Sequence, residues 1–173
     1  MEKAPHPERK KIRLPAEHYI GPRGYFVTMC CHKRRPFFRD EERAQDVMAR
    51  LKEVAARHTF RVHAYCVMPD HFHVLVEGTQ PDCNLLSFIS QLKQESAHDE
   101  KTRSGSQLWQ RYFYDHIVRP RDSMEAIAWY IWLNPVRKGL CAEPEDYKFS
   151  GSFTVEWKRR SRPVSMWNPP WKP

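Results

Sequence analysis

A chain of 173 residues, 40% of them hydrophobic, is long enough for one domain with its own core and too short for two independent ones. The formal charge of +8, from 29 Lys and Arg against 21 acidic residues, favours a polyanionic partner such as nucleic acid. The five cysteines contain no Cys-x-x-Cys unit, which argues against a secreted disulfide framework and for a cytoplasmic protein. No run approaches the roughly 20 apolar residues that a membrane span requires.

Residues 1–24 are basic and punctuated by proline and glycine, and read as an arm with little regular structure. Residues 25–31 follow a glycine with aromatic and β-branched side chains, as a first strand would, and run into the basic loop Lys33-Arg34-Arg35. From Asp40 to His58, Ala44, Val47, Met48, Leu51, Val54 and Ala55 recur at spacings of three and four. That spacing predicts an amphipathic helix with Asp40 as its N-cap. Residues 60–68 and 71–77 read as two strands joined by a tight turn at Pro69-Asp70.

After a break at residues 81–84, Leu85, Leu86, Ile89 and Leu92 return to helical spacing, with Asn84 as cap and an end near His98. The aromatic stretch 108–118 reads as a last strand. Residues 122–133 form a third helix, closed by Pro135, since proline disfavours helical geometry in the residue before it. The predicted order is β, α, β, β, α, β and an added helix: a ferredoxin-like α+β fold with a four-stranded antiparallel sheet and helices on one face. Residues 25–150 form this domain. Residues 151–173, basic and rich in Trp and Pro, form a tail that covers the body or binds a partner.

Two stretches carry chemistry. His71 and His73 alternate with Phe72 along a predicted strand, so both imidazoles project from one face and can converge on a divalent cation. The plainer alternative is a pair of half-exposed strand residues. Tyr130 and Asn134 lie four apart on the added helix and share a face. A phenol there can act as a nucleophile and an amide oxygen as a metal ligand, or the helix simply packs Tyr130 and Trp132 into a core.

Three blocks together, Met68-Pro69-Asp70-His71-Phe72-His73, Leu108 to His116, and Tyr130 to Leu140, resemble the REP-associated tyrosine transposases. These are relatives of the single-tyrosine transposases of the HUH endonuclease superfamily, in which a hydrophobic residue, here Phe72, separates two histidines. The resemblance spans roughly residues 25–150. It implies that His71 and His73 bind the metal, that Asn134 completes its shell, and that Tyr130 is the nucleophile. It further implies Mg²⁺ or Mn²⁺ as cofactor, and single-stranded DNA beside a REP-type hairpin as substrate, cut through a 5′-phosphotyrosine link in the cytoplasm at the nucleoid.

The REP-associated type is expected to act as a monomer whose own helix completes the site, although the wider relatives include dimers. Lys138 and Pro120-Arg121 depart from the family's pattern and make the surface near the helix more basic. Lys33, Arg34, Arg35, Arg111, Arg119, Arg121, Arg137 and Lys138 are the candidate phosphate contacts, taken as a set. His116 is a candidate helper at the site, and Glu77 and Asp115 are candidate orienters of the histidines. A non-catalytic nucleic-acid-binding sheet, or a hydrolase using metal-activated water, would explain parts of the same pattern.

Overall fold

The computed structural model describes residues 14–170, so most of the predicted N-terminal arm lies outside the described residues. Five strands form one antiparallel sheet in the order β4-β1-β3-β2-β5: β1 is Gly24–Cys31, β2 Phe60–Met68, β3 His71–Gly78, β4 Trp109–Ile117 and β5 Ser150–Gly151. The helices are α1 (Glu41–Arg57), α2 (Leu85–Ser104), α3 (Met124–Trp132) and the single turn α4 (Asn134–Arg137). The first four strands and first three helices follow the predicted order.

Caps fix several of these ends. The Asp40 carboxylate accepts from Arg43 N at 3.2 Å, Asn84 from Ser87 N at 3.1 Å and Ser123 from Ala126 N at 3.2 Å, each satisfying a first-turn donor that the helix leaves unpaired. Gly105, at φ 69°, closes α2 in the left-handed conformation that glycine adopts without steric cost.

Three features differ from the sequence expectation. The sheet has five strands, not four, because residues 150–151 pair with β2 opposite Tyr65 and Cys66; two residues are too few to show periodicity. Helix α2 runs to Ser104 and does not end near His98. Its last turns are held by charge: Glu100, only 2% exposed, accepts from Arg43 at 2.7 Å, Asp99 from Arg50 at 2.9 Å, and Asp46 of α1 from Arg103 at 2.5 Å. A hydrophobic pattern cannot register a helix face built from ion pairs.

The third difference is a second core. Helices α1 and α2 cover one face of the sheet, packing Leu51, Phe88 and Leu92 against Val27, Phe72 and Val74. Helix α3 covers the other, packing Ile127, Trp129 and Ile131 against Phe26, Cys66 and Leu75. Strands β2 and β3 are therefore buried on both sides, which is why residues 64–68 and 74–76 are apolar without alternation.

Trp132 anchors this second layer. Its indole stacks on Trp157 of the tail at 4.7 Å between centroids, meets Trp129 edge-on at 5.5 Å and donates to the Gly151 carbonyl at 3.0 Å. Trp132→Ala is expected to cost about 3–5 kcal/mol of stability in urea unfolding, the range for emptying a buried tryptophan site. A loss below about 1 kcal/mol would mean that α3 is held mainly by other contacts.

Candidate functional site

The register of β1, β3 and β2 builds the site. His73 lies opposite Thr28 and Cys66, and His71 opposite Cys30 and Met68, so both imidazoles rise from the face that α3 covers. They are buried, at 8% and 7% exposure. Their Nε2 atoms stand 3.1 Å apart, while each Nδ1 is engaged on its outer side: His71 Nδ1 with Asp70 Oδ1 at 2.6 Å, and His73 Nδ1 with Thr28 Oγ1 at 2.7 Å.

A carboxylate can only accept, so His71 Nδ1 carries the proton and its Nε2 presents a lone pair. The Thr28 hydroxyl can accept as well as donate, so it can hold His73 in the same tautomer. Burial pushes the His71 imidazole below its ordinary pKa, with Asp70 offsetting only part of the effect; the ring is thus kept in the neutral form that a metal binds. Burial alone would raise the Asp70 carboxyl, but the bond from His71 and the nearby Arg34 guanidinium hold it below the usual range.

This pair fits a divalent cation. An octahedral ion with bonds of about 2.1 Å has neighbouring ligands about 3.0 Å apart, close to the observed Nε2 separation. Imidazoles oriented by a carboxylate or hydroxyl on the far nitrogen are the usual surroundings of metal-binding histidines. Among the described residues, no group of three or more His, Cys, Asp or Glu side chains is placed to hold a metal ion. Completing a shell here would therefore draw on an amide, substrate oxygens or water. Thr28→Val keeps the shape but removes the hydroxyl; it is expected to weaken Mn²⁺ binding about tenfold by isothermal titration. Unchanged affinity would show that Thr28 does not orient the ring.

Tyr130 comes to the pair from α3. Its ring centre is 6.5 Å from that of His73 and 6.0 Å from that of Phe26, edge-on to both, and it is 7% exposed. Arg137 lies over the phenol ring at 4.3 Å and donates to the Tyr130 carbonyl at 2.5 Å. Burial lowers the Arg137 pKa, yet a guanidinium remains charged at neutral pH, so a cation faces the phenol wherever negative charge develops on it.

Asn134, also buried, does not share one unbroken helix with Tyr130: Leu133 separates α3 from α4, and Pro135 lacks the N–H that would continue the ladder. The Asn134 amide nitrogen still reaches the Tyr130 carbonyl at 3.4 Å, and a metal would take its oxygen.

The predicted basic residues divide into groups. Arg34 pairs with Asp70 at 3.4 Å, in a loop where Lys33 and Arg34 both take left-handed backbone, at φ 52° and 56°, a cost of about 1–2 kcal/mol each for residues with a β-carbon. Arg34 and Lys138 both bear electrostatically on His71, and Arg137 covers Tyr130. Arg35 lies over Phe37. Arg119 and Arg121 flank the turn in which Asp122 accepts from Arg119 N at 2.8 Å. Arg111 lies beside the exposed Tyr112 on β4, the terminal strand of the sheet.

Glu77 and Asp115 do not orient the histidine pair. Glu77 bonds His63 at 2.9 Å, six residues along the strand from His71, and Asp115 accepts from Tyr19 at 2.8 Å on the opposite face, opposite Val27. Thr28 and Asp70 take the orienting places. Asp70 stood inside a recognised block without a role, and Thr28 becomes visible only through the β1–β3 register.

The sequence family described as Transposase IS200 like matches residues 24–133. The chain belongs to this family. Among relatives of this IS200-like transposase, a REP-associated tyrosine transposase of Escherichia coli is 23% identical over 148 residues, covering 81% of this chain and 87% of the relative. A Haemophilus influenzae protein named provisionally as a REP-associated tyrosine transposase is 26% identical over 137 residues, covering 73% and 77%. In three dimensions the IS200-like transposase superposes on a REP-associated tyrosine transposase bound to a REP hairpin with a TM-score of 0.69, at 23% identity and with 82% of each chain covered. At that identity the superposition speaks for the fold.

Proposed function

We propose that this IS200-like transposase cuts and rejoins single-stranded DNA beside a REP-type hairpin, through a covalent link to Tyr130. The observation that carries the reading is the approach of the Tyr130 ring to the His71–His73 pair, 6.5 Å from His73, across the gap between an added helix and a ferredoxin-like sheet. The phenol oxygen attacks phosphorus in line and gives up its proton to solvent. A phosphorus–oxygen bond to tyrosine forms, and the bond to the 3′ oxygen breaks. The products are a 5′-phosphotyrosine and a strand ending in a 3′-hydroxyl.

Because the phosphodiester energy is kept in the new ester, a 3′-hydroxyl can attack it and restore DNA without ATP. A divalent cation, Mg²⁺ or Mn²⁺, held by His71, His73 and the Asn134 oxygen would polarise the scissile phosphate and offset its charge. Arg137, fixed over the phenol, stabilises charge on the attacking oxygen. Asp70 and Thr28 hold each ring with its outer nitrogen engaged, so that the inner nitrogens present their lone pairs to the cation.

Arg34 and Lys138, which bear electrostatically on His71, and Lys33, Arg35, Arg111, Arg119 and Arg121 supply the phosphate contacts, so the strand binds with a marked salt dependence. Residues 25–150 form the catalytic unit, acting as a monomer in the cytoplasm at the nucleoid, with residues 1–24 and 151–173 as its extensions. No described helix is long and apolar enough to cross a membrane. The test is incubation with hairpin-bearing single strands and Mn²⁺, followed by a denaturing gel. A protein–DNA adduct is expected; no cleavage of any hairpin DNA would favour a non-catalytic binding sheet.

A further inference from the structure

Trp167, far from the motifs in sequence, places its indole inside the site. Its ring meets Tyr130 edge-on, 5.1 Å between centroids at 88°, and leans on Phe26 at 5.2 Å and His116 at 5.6 Å. Val164 and Met166 beside it are exposed, so this part of the tail delivers one flat ring into a slot walled by three others. Phe26 also stacks on His73 at 5.5 Å and 28°, which sets the slot next to the histidine pair.

One wall is polar. His116 is held by Asp122 at 3.0 Å, and the same carboxylate accepts from the Arg119 amide. A slot made only to bury a tryptophan has no need of a histidine hydrogen-bonded to a carboxylate. Aromatic walls around a bicyclic ring, with one fixed polar group at the rim, are what a stacked nucleobase requires, because every base offers a flat π face and a polar edge.

We propose that this slot is a nucleobase subsite, which takes one base of the single strand next to the bond that Tyr130 attacks, and that Trp167 occupies the base's place in the DNA-free protein. The proposal rests on the reading of Tyr130 as nucleophile. The tail and one base then compete for the same volume, and opening the slot strengthens DNA binding only where a base is present to fill it.

The experiment uses full-length Tyr130→Phe, which keeps the wall but cannot trap DNA, and the double variant Tyr130→Phe, Trp167→Ala. Single-stranded hairpin DNAs carry one abasic site, walked along the unpaired flank. Intact DNA is expected to bind the double variant about tenfold more tightly, and at one position the abasic site cancels that gain. 2-Aminopurine placed at this position is expected to lose fluorescence on binding. Equal affinity of the two proteins, or a gain that no abasic position cancels, would overturn the subsite.

If the double variant does not fold, quenching of 2-aminopurine by Tyr130→Phe alone decides: one quenched position supports the subsite, and none overturns it. The nucleophile reading stands or falls separately, on the adduct formed by the wild-type protein.

Discussion

Tyr130→Phe is expected to abolish the covalent adduct with hairpin-bearing single strands and to lower cleavage by at least about a thousandfold, the scale of losing a nucleophile. The substitution removes one oxygen. The ring that packs on Phe26 and carries Arg137 is retained, so stability should change by no more than about 1 kcal/mol, and equilibrium binding of the hairpin should be preserved. Cleavage that survives at near wild-type rate would point to metal-activated water as the nucleophile and remove Tyr130 from the chemistry. Loss of hairpin binding together with cleavage would instead mark Tyr130 as a structural residue of the second core.

The second large effect concerns the histidines. His71→Ala and His73→Ala are each expected to weaken Mn²⁺ binding roughly a hundredfold or more, beyond the loss expected on removing an orienting partner, and to abolish cleavage. Hairpin binding measured in EDTA should be unchanged, because the proposed phosphate contacts are basic residues and not the imidazoles. Calorimetry with Mn²⁺ and a filter-binding assay in EDTA separate the two quantities. Retained metal affinity in both variants would move the cation site elsewhere. Each alanine also leaves a polar partner without its bond, Asp70 or Thr28 respectively, so a modest loss of stability accompanies the loss of metal.

Much of this architecture is legible in the sequence because local signals and global fold agree. Asp40 and Asn84 announce two helix starts, and the alternation across Phe72 puts both imidazoles on one face before any tertiary contact is known. What escapes is what depends on register, charge or distance along the chain. Thr28 meets His73 only because β1 pairs with β3 in one alignment out of several. The end of α2 is written in ion pairs such as Arg43–Glu100, which hydrophobic periodicity does not see. Strand β5 and Trp167 lie in stretches with no period, and their places are set by Tyr65, Trp132 and Tyr130 on elements far from them in sequence. The apolar runs at residues 64–68 of β2 and 74–76 of β3 carry a signal for the second core, since a strand with one wet face would alternate.

The position of β3 in the middle of the sheet gives the two halves of the site different mechanical character. The histidines sit on a strand hydrogen-bonded on both edges, between β1 and β2, so their backbone separates from its neighbours only when the whole sheet comes apart, an event governed by global stability. Tyr130 rides a nine-residue helix that touches the sheet through side chains alone, and such an element opens at lower free energy than the sheet beneath it. The histidine half of the site is therefore the anvil, fixed on the timescale of unfolding. In the proposed mechanism, Tyr130 rides the half of the site that tilts more readily, toward and away from the phosphate in each cycle of cutting and rejoining.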